Sequence, residues 1–147
     1  MMLQGSILKK QKGLAAVEFI VTIPTLLLIL MAITEFGNAF IRYNTLNKMA
    51  QNGIRYATTE ISGTSSYDQI ADINAIKNIV VYGTTSVGDG SAAMIDGVTP
   101  SDVTVTHAGG YVTVTINHSY APMMGNFKSD VNFAVPLNAS AMMRTAP

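Results

Sequence analysis

Between Leu14 and Ile33 the chain reads LAAVEFIVTIPTLLLILMAI, twenty residues with a single charge, Glu18. That is about the number of apolar residues a helix needs to cross the hydrocarbon core of a bilayer. The anomaly is the carboxylate near its start. An ionisable side chain at bilayer depth costs about 2.5–3.5 kcal/mol on insertion scales, so a sequence that keeps one there has a use for it.

The flanks of this run orient it. Lys9, Lys10 and Lys12 precede it and Glu35 follows, so the excess of positive charge places the N-terminus in the cytoplasm and the rest of the chain across the membrane. The formal net charge of zero hides this asymmetry. Without residues 1–13, Lys+Arg falls from 9 to 6 against 9 Asp+Glu, a net charge of −3. The body is therefore mildly acidic and offers no basic patch for nucleic acid. With 147 residues there is room for one modest core beside the span, and with no Cys there is neither a disulfide framework nor thiolate chemistry. Two plainer readings compete for the apolar run: a cleaved secretory signal with a small-residue site such as GNA at 37–39, and a simple uncleaved anchor. The run is longer than an ordinary signal core, and neither reading accounts for Glu18.

Helical spacing continues past the apolar run. Phe36, Phe40, Tyr43, Leu46, Ala50, Gly53 and Ala57 follow one another at intervals of three or four, with Asn44, Asn47, Lys48, Gln51, Asn52 and Arg55 between them. This predicts one helix from about Leu14 to about Ala57, its first half in lipid and its second half under a small domain. Pro24 removes the hydrogen bond to the Ile20 carbonyl and is expected to bend or open the helix locally. Phe36, Phe40 and Tyr43 lie below any region a small domain is expected to cover, which makes them a candidate surface for a partner helix.

A second, short helix is expected where Ser66 and Gln69 form a capping-box pattern, with Ile70, Ile73, Ile76 and Val80 as its apolar stripe and Gly83 as its end. The segment GTTSVGDGSAAMIDGVTPSD reads as a long loop. DVTVTH and YVTVTINH alternate strictly around AGG and predict a β-hairpin, with Val103, Val105, Val112, Val114 and Ile116 facing the core and the threonines facing solvent. Further strands are expected in VNFAV and, after Pro136, in LNASAMM. The fold class is α+β: a long N-terminal helix on a small antiparallel sheet, with one additional short helix.

Signatures of enzymes are weak throughout. GTTSVGDG lacks the Lys-Ser/Thr pair of a phosphate loop and does not run from a strand into a helix. Asp89 and Asp96 do not have the alternate spacing of a calcium loop. His107 and His118 each end a run of alternation and could meet at one edge, but two histidines without a third ligand or an acid make hairpin ends more readily than a metal site. The expectation is a non-enzyme without metal or cofactor.

A short basic leader ending in Gly13, followed by Leu14, Ala15, Ala16, Val17, Glu18 and Phe19, resembles the processing site of type IV prepilins. KGLAAVEFIVTIPTLLLILMAITEFGNAFIRYNTL more narrowly resembles the TadE-like pseudopilins of tight-adherence (Flp) pilus systems, and a weaker likeness runs on through VVYG, VTVTI and ASAMMR. The resemblance implies a pilin-like fold and cleavage between Gly13 and Leu14 by a membrane aspartyl prepilin peptidase on the cytoplasmic side. It divides the chain into a leader at 1–13, a transmembrane half-helix at 14–34 and an extracytoplasmic domain at 35–147. It implies a single-pass protein of a bacterial inner membrane, incorporated in a cell-surface pilus or held at its base. The implied partners are the peptidase, other pilins and pseudopilins, and the assembly platform, and Glu18 becomes the partner of the α-amino group that cleavage creates on Leu14. Because 134 residues remain after the leader, with a folded domain among them, the likeness is to a minor pilin and not to a major Flp pilin. The alternative is a membrane-anchored binding or adhesion module outside any filament, which would need neither Gly13 nor Glu18.

Overall fold

The computed structural model describes residues 4–60, 69–88, 90–122 and 134–145, with side chains from Gly13 onward. The chain forms two compact units, Met1–Asn38 and Ala39–Pro147. Its elements are helix α1 (Gln4–Thr59), helix α2 (Ile73–Tyr82), a 3₁₀ turn at Pro100–Asp102, and strands β1 (Val103–Ala108), β2 (Tyr111–Tyr120) and β3 (Val135–Arg144). This is the α+β layout of a long apolar helix, a short helix and a three-stranded antiparallel sheet.

Helix α1 ends within two residues of the expected Ala57 but begins ten residues before the expected Leu14. Residues 4–12 contain three Lys, two Gln, one Leu and no proline, so once the apolar run has nucleated a helix it propagates backward, the weak formers Gly5 and Ser6 lying only at its far end. Pro24 is inside the helix, which continues through it. In the first unit the hydroxyls of Thr22, Thr25 and Thr34 donate to the carbonyls of Glu18, Val21 and Leu30 at 2.7, 3.3 and 2.9 Å. Bonding one turn back satisfies each hydroxyl within the helix, which is what an apolar surround demands of it.

The second unit is built on the hairpin. Gly109 and Gly110 form a two-residue connection with φ of 59° and 76°, the doubly positive geometry whose twist matches that of the flanking strands. The turn fixes the register, pairing Val103 with Ile116 and Val105 with Val114 across β1 and β2. Strand β3 continues the sheet on the other side of β2, with Ala141 opposite Val114 and Ala139 opposite Ile116. Val103, Val112, Val114 and Ile116 are buried, Val105 is half-buried, and Thr104 and Thr106 are exposed, as the alternation predicts. Of the expected strand VNFAV, residues 131–133 lie outside the described residues, Ala134 is not in a strand, and Val135 opens β3. Pro136, which has no N–H to donate, is the second residue of that strand, where the sheet tolerates it.

The inward face of the sheet closes on Leu46, Met49, Ala50, Ile54 and Ala57 of α1 and on Ile76, Val80 and Val81 of α2, one continuous core. A Cβ on Gly53 would come within 2.2 Å of Val80 Cγ2, so the close approach of α1 and α2 requires the missing side chain. Arg42 lies over the ring of the buried Tyr120, 5.3 Å from its centroid.

Helix α2 departs from expectation at its start. Its cap is Asp72, whose carboxylate accepts a hydrogen bond from the Ala75 amide at 2.9 Å. Gln69 precedes the helix, and Ser66 lies outside the described residues. Aspartate caps at least as well as serine, and it lies next to the apolar stripe, so it sets the boundary. Ile73 is consequently a first-turn residue and 47% exposed, while Ile76, Val80 and Val81 carry the buried face. Gly83 ends the helix as expected, with φ of 74° and its amide donating to the Ile79 carbonyl at 3.0 Å. The following loop is anchored from within, because Ile95 and Val98 are buried and the Met94 amide donates to the Val81 carbonyl at 2.8 Å.

Candidate functional site

All six residues singled out from the sequence fall on α1, and regular helical geometry sets their relations. Leu14 and Glu18 are four residues apart, one turn, and therefore neighbours on one face. Both are exposed. Gly13 precedes them within the helix, and a Cβ there would meet nothing within 4 Å; the same holds at Gly37.

The helix from Gly13 includes a stretch long and apolar enough to cross a membrane, and none of that stretch is covered by the protein. Leu14, Val17, Ile20, Leu27 and Ile33 all stand exposed, and they point in every direction around the axis. A helix apolar on all sides, with no cover among the described residues, is a candidate for a membrane span, because water would otherwise meet a continuous apolar surface far beyond what a soluble monomer presents.

Further along, one stripe changes character. Phe36, Phe40 and Tyr43 are 78%, 61% and 40% exposed, whereas Leu46, Ala50 and Ala57, on the continuation of the same spacing, are fully covered. The periodicity is unbroken; what differs is whether the protein itself supplies a partner. The aromatic side chains lie on the uncovered part, and the small residues Ala50, Gly53 and Ala57 lie where the domain packs closely.

The two histidines do not meet. His107 stands opposite Val112 beside the hairpin turn, and His118 stands opposite Leu137. Positions 112 and 118 are separated along β2 by roughly 20 Å at about 3.3 Å per residue. Alternation puts both rings on the same face, but the antiparallel turn carries them to opposite ends of it. The Nε2 of His107 is 3.5 Å from Thr145 Oγ1, and the ring of His118 reaches the loop near Gly97. Among the described residues no cluster of three or more His, Cys, Asp or Glu could hold a metal ion. Asp96 is exposed and Asp89 lies outside the described residues. The Gly-rich loop follows α2 instead of a strand, so it lacks the context of a phosphate loop.

Sequence reasoning missed Arg42 over Tyr120. A signal was available in the basic residue among the neutral side chains of that turn, but its aromatic partner is 78 positions away and could not be located without the fold.

The family model described as TadE-like protein matches residues 13–55, which span Gly13, Leu14, Glu18 and the whole stripe from Phe36 to Gly53. Neither the curated proteins nor the solved structures gave a significant match.

Proposed function

We propose that this chain, TadE-like over residues 13–55, is a minor pilin or pseudopilin of a tight-adherence (Flp) pilus system, with a structural and not a catalytic role. The TadE-like match supports involvement in such a system, and the apolar helix supports anchoring in a membrane. The observation that carries the finer reading is the position of Glu18, one turn after Leu14 on an uncovered apolar helix.

Cleavage between Gly13 and Leu14 by a prepilin peptidase would free an α-amino group with a reference pKa of about 8, largely cationic at neutral pH. In lipid, or among packed helices, an ammonium and a carboxylate offset each other where either alone is strongly unfavourable. The pair forms within one subunit or between neighbours, so Glu18 acquires its partner on maturation. The lysine-rich leader then lies in the cytoplasm and the second unit on the far side of the inner membrane. Phe36, Phe40 and Tyr43 present the surface for the helices of other pilins or of the assembly platform.

The test is the N-terminus of the membrane-extracted protein. In cells that contain the peptidase, the intact mass is expected to be that of a chain starting at Leu14; retention of Met1 would sink the reading and favour a plain tether. Glu18→Ala should insert and be cut normally, because removing a charge eases partitioning, yet should no longer co-purify with pilus components. Normal incorporation of that variant would remove the pairing role.

A further inference from the structure

A three-stranded sheet has two edges, and the phase of the hydrogen bonds decides what each presents. In an antiparallel pair, residues that exchange both bonds with the neighbour alternate with residues whose N–H and C=O turn the other way. The Thr145 amide donates to the Gly110 carbonyl at 2.9 Å, in step with the β2–β3 register. Counting back by twos, Met143, Ala141, Ala139 and Leu137 bond to β2, while Arg144, Met142, Ser140, Asn138 and Pro136 turn their backbone groups outward. Pro136 therefore lacks its N–H where β2 does not call for one.

The two edges differ. Strand β1 has six residues and packs against α2. Its outward groups belong to Val103, Val105 and His107, and the Val103 amide already donates to the Pro100 carbonyl. Strand β3 has ten residues, and Asn138, Ser140, Met142 and Arg144 are all exposed. From Val135 to Met143 it carries no charged side chain. Edge strands are ordinarily blunted by short length, by lysine or by a covering element. Among the described residues β3 has none of these, and only Pro136 interrupts its outward donors.

We propose that the β3 edge is a self-association surface, on which β3 of a second copy of this chain adds antiparallel and extends the sheet. An alternating row of N–H and C=O groups is complemented by an extended strand. The occupant is a second copy because every chain meets its own copies, and an edge that had to avoid them would carry charges along its length. The one cation of the strand, Arg144, lies at its end. Antiparallel pairing sets the two cations apart, whereas parallel pairing would set them side by side. Centring the pair on Ala141 places Asn138 opposite Arg144 of the second copy and Ser140 opposite its Met142. Each of these pairs exchanges both bonds, and Pro136 stays outside the ladder. A centre at Ser140 would set Pro136 against Arg144 and leave a carbonyl without its donor. The surface is separate from Phe36, Phe40 and Tyr43, and it does not depend on processing.

The chain has no cysteine, so single cysteines can report the pairing. With the centre at Ala141, the two copies of residue 141 form a non-hydrogen-bonded pair with Cα atoms about 4.5 Å apart, within the span of a disulfide. Full-length Ala141→Cys in membranes, treated with a mild oxidant, is expected to give a reducible dimer several-fold more abundant than that of Thr104→Cys, an exposed position on β1. Adding Ser140→Lys, which keeps the backbone donor and puts a charge on the edge, should abolish the cross-link. Ser140→Pro, which removes an outward N–H and leaves the bonds to β2 in place, should do the same. Near-ultraviolet circular dichroism of the Ser140→Lys chain should match that of the parent. Cross-linking of Ala141→Cys no greater than that of Thr104→Cys overturns the proposal, and so does a cross-link that either Ser140 variant leaves undiminished. A cross-linked species whose mass is not twice that of the chain also overturns it, and gives the edge to a strand of another protein.

Discussion

Two stretches of one helix carry the same apolar spacing and meet different fates. From Leu46 to Ala57 the stripe is sealed by the protein's own sheet and second helix; at Phe36, Phe40 and Tyr43 it is open. Leu46 is large and fully covered, but beyond it the covered stripe narrows to small residues. Ala50, Gly53 and Ala57 let α2 and the sheet approach closely, whereas Phe36, Phe40 and Tyr43 stay largely open among the described residues. Periodicity therefore reports that a face will be buried, and side-chain volume reports how near the partner comes.

The sharpest break of this contrast is Ala50→Lys. The Ala50 side chain is fully buried, and an ammonium there would be desolvated among valines and isoleucines without a counter-ion. The expected outcome is loss of the cooperative unfolding transition of the second unit, followed by near-ultraviolet circular dichroism in detergent. A variant that keeps its melting temperature within a few degrees would show that the covered stripe is looser than it looks.

Gly53→Ala is the next largest. Alanine improves helix propensity by about 1 kcal/mol, but a Cβ 2.2 Å from Val80 Cγ2 forces repacking of the kind that costs typically 1–3 kcal/mol. The net expectation is destabilisation by about 1 kcal/mol, seen as a lower denaturation midpoint. Adding Val80→Ala should relieve the clash, so the double-mutant cycle is expected to show a favourable coupling of about 1 kcal/mol between the two sites. Additive effects would place the close approach elsewhere.

How much of this was legible in the sequence depended on whether the partner of each residue was near in the chain. The hairpin and its inward face were readable because strict alternation and a glycine turn are local and agree with each other; the exact register was not, since Ala108, expected in the connection, pairs with Tyr111 inside the ladder. The stripe on α1 was equally plain, and with it the positions of Gly13, Glu18 and Phe40. The start of α2 was not, since Ser66 with Gln69 signalled an earlier cap than Asp72, whose carboxylate holds the first turn. Ile95 and Val98 were hidden in a Gly- and Ser-rich loop, where two isolated apolar residues have no period to reveal them. That His107 and His118 lie at opposite ends of one face follows from the same hairpin, since His107 stands beside its turn and His118 six positions beyond its partner Val112. The point on α1 where cover begins was unreadable because the cover comes from residues far along the chain.

Asp72→Ala probes the cap that decided the start of α2. Losing the bond to the Ala75 amide should cost about 1 kcal/mol, the usual value for an N-cap. The check is a denaturation midpoint lowered by less than that of Ala50→Lys, with no change in membrane insertion. An unchanged midpoint would mean that another group caps the helix, and Asp72→Asn should retain most of the stability because the amide oxygen can accept the same bond.

The smallest expected effect on stability is the one that defines the other side of the comparison. Phe40 is 61% exposed, so Phe40→Ser removes little that the fold itself has buried, and serine stands level with phenylalanine in helix propensity. The melting temperature of the second unit should stay within about 2 °C of the parent, a shift that corresponds to a few tenths of a kcal/mol for a domain of this size. Association is a different matter, because a large aromatic centred in a helix-packing surface contributes most of its area only when a partner arrives. The same variant should therefore weaken co-purification with other pilin helices several-fold while leaving membrane insertion intact. If Phe40→Ser instead lowers the melting temperature as far as Gly53→Ala does, the lower stripe is core of this protein and the division of α1 into a covered and an open face collapses.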